Sequence, residues 1–183
     1  MAFSGNGEPT SAPEFPQAVR RVRAVLAQCG VAASLPVRLI TNGSLLHRAA
    51  VRDGIRTLGE MGGEVWFKLD RALPAEIKAI NGVRLDIAKV RRDLAACARM
   101  ATTWVQTCWF ALDGTAPGPA SRAACCALLA PLAGQLAGVH LYGLARPSLQ
   151  PAASRLQRLP AEELEAFAEE IRSATGIRVV VSP

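Results

Sequence analysis

Cysteine pairs that could hold a metal or form a disulfide framework are missing from this sequence. Its five cysteines include no C-x-x-C pair and follow no regular spacing, which excludes a disulfide-rich scaffold and a zinc site of the usual spacing. Each cysteine stands in an apolar helix or strand pattern, so we expect buried thiols, with Cys29 and Cys97 on the buried faces of separate helices. Reduced thiols predict a cytoplasmic protein.

A targeting signal and a membrane span are missing as well. The N-terminus has no basic region followed by an apolar stretch, as a secretory signal would have. Residues 123–145 carry no Asp, Glu, Lys or Arg, but Pro131, Gly134 and Gly138 interrupt this alanine-rich stretch. We therefore expect a helix, a turn and a strand there, and no membrane insertion.

The sequence has no block of basic residues, although its net charge is +6. The densest basic cluster is Arg20, Arg21 and Arg23, which we interpret as the solvated face of a helix. Nucleic acid is therefore permitted as a partner but not indicated.

Helix and strand patterns alternate along the chain, with no internal repeat. The length of 183 residues suits one core, so we predict a single domain over residues 1–183. Apolar spacing and turn residues predict helices over residues 15–29, 45–60, 74–80, from a cap at Asp86, 119–132 and from Pro160. In the last helix, the spacing of Leu164, Phe167, Ala168 and Ile171 predicts one buried face. They predict strands over residues 37–40, 64–70, 103–112, 138–144 and 177–181.

This alternation predicts an α/β fold with parallel strands joined by right-handed crossovers. We expect about six parallel strands in an open sheet or barrel, with the strand at residues 177–181 as an extra element. Ligands bind at the carboxyl ends of the strands in such folds, which directs attention to the peptides that follow them.

The glycine-rich peptide at residues 4–10, SGNGEPT, follows the first strand end. It lacks the third glycine of a Rossmann fingerprint and the Lys-Ser/Thr of a P-loop. It offers exposed backbone groups and the carboxylate of Glu8, which suit an ammonium group better than a phosphate. A generic α/β barrel, whose glycines only form turns, is the competing interpretation.

With Phe3 before it, this peptide closely resembles the glycine-glycine-glutamate motif on the second strand of radical S-adenosylmethionine (SAM) enzymes. The peptide ITNG at residues 40–43 resembles the end of the family's third strand, and FKLD at residues 67–70 the end of the fourth. The strand around Gln106 and the strand ending in YGLARP, residues 142–147, take the fifth and sixth places. The resemblance covers nearly the whole chain and implies a partial (β/α)6 barrel of the TIM-like type, without its first strand and helix.

In that family the motif contacts the amino group of the SAM methionine. By resemblance, the cofactor-binding residues are Gly5, Asn6, Gly7 and Glu8 at the amine, with Thr41, Asn42 and Asp70 toward the ribose or carboxylate. The candidates for the SAM carboxylate or an anionic substrate are Lys68, Gln106 and Arg146. For Lys68, the period of two leaves an outward-facing strand residue equally open.

The family's cluster-binding C-x-x-x-C-x-x-C loop does not occur in this sequence. A [4Fe–4S] cluster needs three thiolates at one point, so the resemblance implies SAM as cofactor and the cluster in a complete protein only. It also allows an electron donor such as flavodoxin or ferredoxin. We expect a start site assigned too far downstream or a truncation. A SAM-like binding module without redox chemistry is the alternative.

Overall fold

The computed structural model describes residues 1–5, 7–31, 34–144 and 153–183. Within these ranges the strands are β1 (Ala2–Phe3), β2 (Arg38–Thr41), β3 (Glu64–Lys68), β4 (Thr102–Cys108), β5 (Ala111–Leu112), β6 (Gly138–Tyr142), β7 (Leu156–Gln157) and β8 (Val179–Ser182). The α-helices are α1 (Phe15–Gln28), α2 (Ala49–Glu60), α3 (Pro74–Asn81), α4 (Ile87–Met100), α5 (Pro119–Leu129) and α6 (Ala161–Thr175).

Six strands form one sheet in the order β1-β2-β3-β4-β6-β8, and β5 and β7 form a separate antiparallel pair. The ladders of β1 with β2, β2 with β3 and β6 with β8 are parallel. This α/β arrangement confirms the fold class predicted from the alternation of helices and strands. The chain divides into two compact units, residues 1–68 with 92–104 and residues 69–91 with 105–183, and the single domain stays a prediction.

The core of the first unit lies where α1 and α2 pack together. Phe15 and Val19 of α1 are buried, as are Ile55 and Leu58 of α2. A Cβ at Gly54 would lie 2.6 Å from the Phe15 ring, so glycine is needed there to let the ring approach the helix.

Ion pairs account for two of the three clustered arginines of α1. Arg20 contacts the Asp53 carboxylate at 3.1 Å, and Arg23 contacts Glu60 at 2.9 Å. All four side chains are about half exposed or more, so these are surface pairs of small energetic value. The arrangement favours the solvated helix face over a nucleic-acid site.

The core of the second unit forms around α6. Leu164, Phe167 and Ile171 are at most 1% exposed, which confirms the buried stripe expected from their spacing. The Phe167 ring stacks on Trp109 with centroids 4.2 Å apart. β6 and β8 pair directly from Val139 with Val179 onward.

The predicted strand over residues 103–112 is wrong in its second half. β4 ends at Cys108, and β5 pairs with β7 instead of continuing in the large sheet. The buried Arg71 side chain donates hydrogen bonds to the carbonyls of Cys108 and Phe110, which takes these carbonyls away from ladder pairing. The sequence pattern alone shows none of this, because residue 71 is distant in sequence.

Three smaller expectations also need correction. The strand predicted at residues 177–181 is not an extra element, because β8 is a member of the six-stranded sheet and pairs with β6. The helix predicted from residue 45 begins at Ala49. Cys29 is exposed because it caps the C-terminus of α1, beyond Leu26, the last buried residue of that helix.

Candidate functional site

In the first unit, the carboxylate of Glu8 joins the loop after β1 to the end of β2. Oε1 accepts hydrogen bonds from the hydroxyls of Thr10 and Thr41 at 2.7 Å each, and from the Thr10 N–H at 3.2 Å. Oε2 accepts the Asn42 N–H at 2.8 Å. Four donors thus converge on one charged acceptor, which makes these hydrogen bonds strong and fixes the two loops to each other.

The turn after β2 is shaped by its own side chains. The buried Thr41 hydroxyl also accepts the Gly43 N–H at 3.1 Å, and the Asn42 Oδ1 accepts the Ser44 N–H at 2.9 Å. Gly43 has φ of +72°, and a Cβ there would collide with the ring of Phe67. Gly43 is therefore a structural glycine. Asn42 is exposed, so its side chain borders solvent at this strand end.

The glycines before Glu8 differ from Gly43. A Cβ built on Gly5 or Gly7 would meet no atom of the described residues within 4 Å. Packing within the described part of the chain therefore does not require glycine at these positions. Both residues are exposed, so a ligand could reach the main chain beside Glu8.

Lys68 ends β3, and its side chain is exposed. The burial pattern of β3 alternates, with Val65 and Phe67 buried and Lys68 on the opposite face. Lys68 therefore lies on the face of β3 opposite Val65 and Phe67, and its role as a site residue stays a prediction.

In the second unit, Asp70 lies two residues after β3, and Gln106 and Cys108 lie in β4. The Asp70 Oδ1 accepts the Cys108 N–H at 2.8 Å. The Leu69 N–H donates to the Gln106 carbonyl at 3.0 Å, and the Thr107 hydroxyl donates to the Leu69 carbonyl at 2.9 Å. These bonds hold the segment that carries Asp70 alongside β4.

The side chain of Arg71 is buried beside Asp70, and the residue is 4% exposed. Its guanidinium lies over the rings of Trp109 and Phe110, at 4.2 and 4.8 Å from their centroids. Burial lowers the pKa of Arg71, and the carboxylates of Asp70 and Glu76 oppose that shift. The group still stays charged at neutral pH, since arginine titrates far above it.

Tyr142 ends β6 and lies near Cys108 and Asp70. Burial raises the pKa of the Tyr142 phenol, and Asp70 and Cys108 raise it further. Gln106 is half-buried, and in the described part of the chain its Oε1 is buried without a hydrogen-bond partner. A buried acceptor without a donor is costly, so this amide is a point where a ligand donor would be favourable.

Within each unit the structure brings some of the predicted site residues together. It joins Glu8, Thr41 and Asn42 in the first unit, and it places Asp70 beside the end of β4 in the second. Asn6 and Arg146 lie outside the described residues. Sequence reasoning missed Arg71 and Tyr142, although both stand at strand ends. An arginine followed directly by Ala-Leu-Pro was the available signal for Arg71, because a cation in an apolar run needs a buried partner.

The cysteines do not form a cluster site in the described residues. No group of three or more His, Cys, Asp or Glu side chains there could hold a metal ion. Burial raises the pKa of the Cys97 thiol to about 12, with smaller effects of Asp93 and Glu8. Burial likewise raises the pKa of Cys125 to about 12. Thiols of this kind suit core packing and are poor thiolate ligands.

Among the described residues, no helix combines the length and apolar character that crossing a membrane requires.

No protein-family model matches the chain. No curated protein matches its sequence. Among solved structures, the chain is similar to a radical SAM methyltransferase from Sphaerobacter thermophilus, with a TM-score of 0.64 and 20% identity over 98% of this chain. The match covers 49% of that protein, so the chain spans about half its length. At this identity the likeness shows a shared fold.

Proposed function

We propose that this chain binds SAM through the loops at the carboxyl ends of its strands, as part of a radical SAM enzyme. The observation that carries the proposal is the exposed glycine segment beside Glu8, whose carboxylate fixes the loop after β1 to the end of β2 through four hydrogen bonds. Without side chains at Gly5 and Gly7, a ligand can approach the main chain there closely. The order of the strand-end peptides and the shared fold support the same function. In this proposal the six-stranded sheet is a partial barrel.

The roles of the residues follow from their hydrogen bonds. Main-chain carbonyls of Gly5 and Gly7 would accept the ammonium of the SAM methionine, because a cationic amine needs acceptors and this segment is exposed. Glu8 already accepts four hydrogen bonds, so we assign it to holding that segment in place. The resemblance implies that Glu8 contacts the ammonium together with Gly5, Asn6 and Gly7, whereas its four hydrogen bonds favour a supporting role.

The remaining candidates keep the roles that the resemblance implies. Asn42 and Asp70 are each proposed to contact the ribose or carboxylate of SAM. Lys68 and Gln106 are proposed for the SAM carboxylate or an anionic substrate, and Arg146, outside the described residues, shares that proposal. The compartment we propose is the cytoplasm, and the electron donor would be a flavodoxin or ferredoxin.

The cysteines of this chain do not fit a [4Fe–4S] cluster. Cys97 and Cys125 are buried in α4 and α5, whereas Cys29 is exposed at the end of α1. Bringing three of the thiolates to one point would mean unpacking helices. We therefore derive no step through a cluster and propose reductive cleavage of SAM only for a protein that supplies the C-x-x-x-C-x-x-C loop.

The same cysteine arrangement favours a second candidate, a SAM-binding module without redox chemistry. The two are separated by anaerobic reconstitution of this chain with iron and sulfide, followed by assay for 5′-deoxyadenosine under dithionite. Production of 5′-deoxyadenosine by this chain would contradict our assignment of the cysteines. An upstream reading frame that encodes the missing loop would favour the enzyme.

Calorimetric titration with SAM tests the binding proposal itself. Gly7→Ala should weaken SAM binding at least about tenfold, which corresponds to about 1.4 kcal/mol. Gly134→Ala is the matched control, since a Cβ at Gly134, like one at Gly7, would meet no described atom within 4 Å. Equal affinities for the two variants would show that SAM does not approach Gly7.

A further inference from the structure

Arg71 carries a buried charge that the proposed function does not yet use. Its side chain is 3% exposed, and the Glu76 carboxylate lies 3.8 Å from its Nε. Glu76 also accepts the Ser121 hydroxyl at 2.6 Å. Burying a guanidinium with so distant an ion pair is unfavourable unless other groups compensate, so the carbonyls around Arg71 must supply much of its stabilisation.

Three main-chain carbonyls surround the guanidinium. Nη1 donates to the Asp70 carbonyl at 2.7 Å and to the Cys108 carbonyl at 3.2 Å, and Nη2 donates to the Phe110 carbonyl at 2.8 Å. These carbonyls belong to the segment after β3 and to the end of β4 and its following turn. Within the second unit, a single side chain therefore joins the segment that carries Asp70 to the end of β4.

The Asp70 carboxylate depends on the same two segments. Its Oδ1 accepts the N–H of Cys108 at 2.8 Å, and Arg71 holds both the Asp70 carbonyl and the Cys108 carbonyl. Both the main chain of Asp70 and the donor that orients its side chain are thus fixed by one guanidinium. The guanidinium reaches these carbonyls from two separate nitrogens, Nη1 and Nη2, whereas a lysine would have to bond all of them from one.

We infer that Arg71 is a positioning residue for Asp70: it holds the segment of Asp70 against the end of β4 so that the Asp70 carboxylate faces its ligand in one orientation. The inference rests on the proposed contact of Asp70 with SAM. Arg71 acts through Asp70 in this proposal and not on SAM itself, because its Nη atoms are already bonded to main-chain carbonyls.

A double-mutant cycle on the full chain, with SAM affinity measured by calorimetry, tests the inference. Asp70→Asn should weaken binding about tenfold, and Arg71→Lys about fivefold or more, since lysine cannot bond the carbonyls in a fork. If Arg71 acts through Asp70, the double variant should be within about twofold of the weaker single variant. Ile171→Ala, which removes buried volume in α6, is the control for lost stability and should leave affinity within about twofold.

The outcomes separate this inference from the proposed function. If Asp70→Asn leaves affinity unchanged, the proposed contact of Asp70 with SAM is wrong. If Asp70→Asn weakens binding but Arg71→Lys does not, or if the two effects multiply, the positioning role of Arg71 is wrong.

Amide hydrogen exchange at Cys108 gives a readout that does not need SAM. Arg71→Lys should speed exchange of the Cys108 N–H at least about tenfold relative to Leu141 in β6, because its hydrogen bond to Asp70 loosens locally. Unchanged exchange at Cys108 would overturn the inference. If Arg71→Lys does not fold, Arg71→Gln, which is neutral and cannot reach the carbonyls from two nitrogens, takes its place in both experiments with the same expectations.

Discussion

Two carboxylates at strand ends, Glu8 in the first unit and Asp70 in the second, are held in opposite ways. Glu8 is the centre of its network, because four donors from the neighbouring loops converge on its oxygens. Asp70 accepts a backbone N–H, but the connections around it converge on Arg71. A carboxylate that is the centre of a network should matter most for stability. A carboxylate that a neighbouring side chain holds in place should matter most for the affinity of its ligand.

The largest expected effect is the loss of the centre in the first unit. Glu8→Ala removes the acceptor of four hydrogen bonds, including that of the buried Thr41 hydroxyl, and should lower the free energy of unfolding by about 3 kcal/mol. Chemical denaturation measures this loss in the free energy of unfolding. The control is Glu14→Ala, because Glu14 is exposed and makes no side-chain capping bond to α1. Similar losses for Glu8 and Glu14 would break the comparison.

Arg71→Met is the corresponding change in the second unit. Methionine fills much of the space between the aromatic rings but leaves the carbonyls of Asp70, Cys108 and Phe110 without this donor. We expect a loss of about 2 kcal/mol in the free energy of unfolding, less than for Glu8→Ala because solvent can reach part of the loosened turn. A loss larger than that of Glu8→Ala would reverse the order of the two networks.

The isosteric amides sharpen the comparison with a smaller change. Asp70→Asn keeps an acceptor for the Cys108 N–H and should cost less than about 0.5 kcal/mol. Glu8→Gln places an NH₂ group where one carboxylate oxygen accepted a donor, so it should cost about 1.5 kcal/mol. Denaturation curves of the two variants, compared with that of the original chain, give the two losses in the free energy of unfolding. Equal costs would mean that Glu8 and Asp70 are held alike.

Much of the fold followed from local pattern. The spacing of Leu164, Phe167 and Ile171 predicted the buried face of α6, and alternation predicted the α/β class. The break after Cys108 did not follow, because it depends on Arg71, a residue from another part of the chain. A periodic apolar strand carries no sign that a distant side chain will bind its carbonyls.

The candidate sites show the same division between local and distant contacts. The peptides of Glu8 and Asn42 could be selected because each follows a predicted strand, and the roles of the two residues came from the resemblance to radical SAM enzymes. That they bond to each other could not be read from sequence, since the contact crosses 34 residues. For Cys29 the error was local. The apolar periodicity of α1 was continued past Leu26, its last buried residue, and predicted burial for a C-cap residue that is exposed.

The smallest expected effect is a difference in the rate of thiol labelling. Each network has one buried cysteine nearby whose labelling rate can be followed. Cys97 belongs to the first unit and is influenced by Glu8, whereas Cys125 belongs to the second and is influenced by Arg71. Both thiols have a pKa raised to about 12, mainly by burial. At pH 8 each is therefore almost entirely protonated in the folded state and reacts only after local opening.

Site-resolved labelling of the folded variants at pH 8 should therefore tell the networks apart. Glu8→Gln should speed modification of Cys97 about threefold or more and leave Cys125 little changed, while Arg71→Lys should do the reverse, since each network limits opening in its own unit.

The pH dependence of the labelling rate shows whether labelling needs local opening. Opening restores a pKa near 9, so labelling through opening should rise up to about pH 9 and then level off. Labelling of the folded state would instead keep rising toward pH 12. Exposed Cys29 is the internal reference, because its rate should be the same in both variants. If either variant accelerates both buried cysteines equally, the two networks are one cooperative unit, and the contrast between Glu8 and Asp70 does not hold.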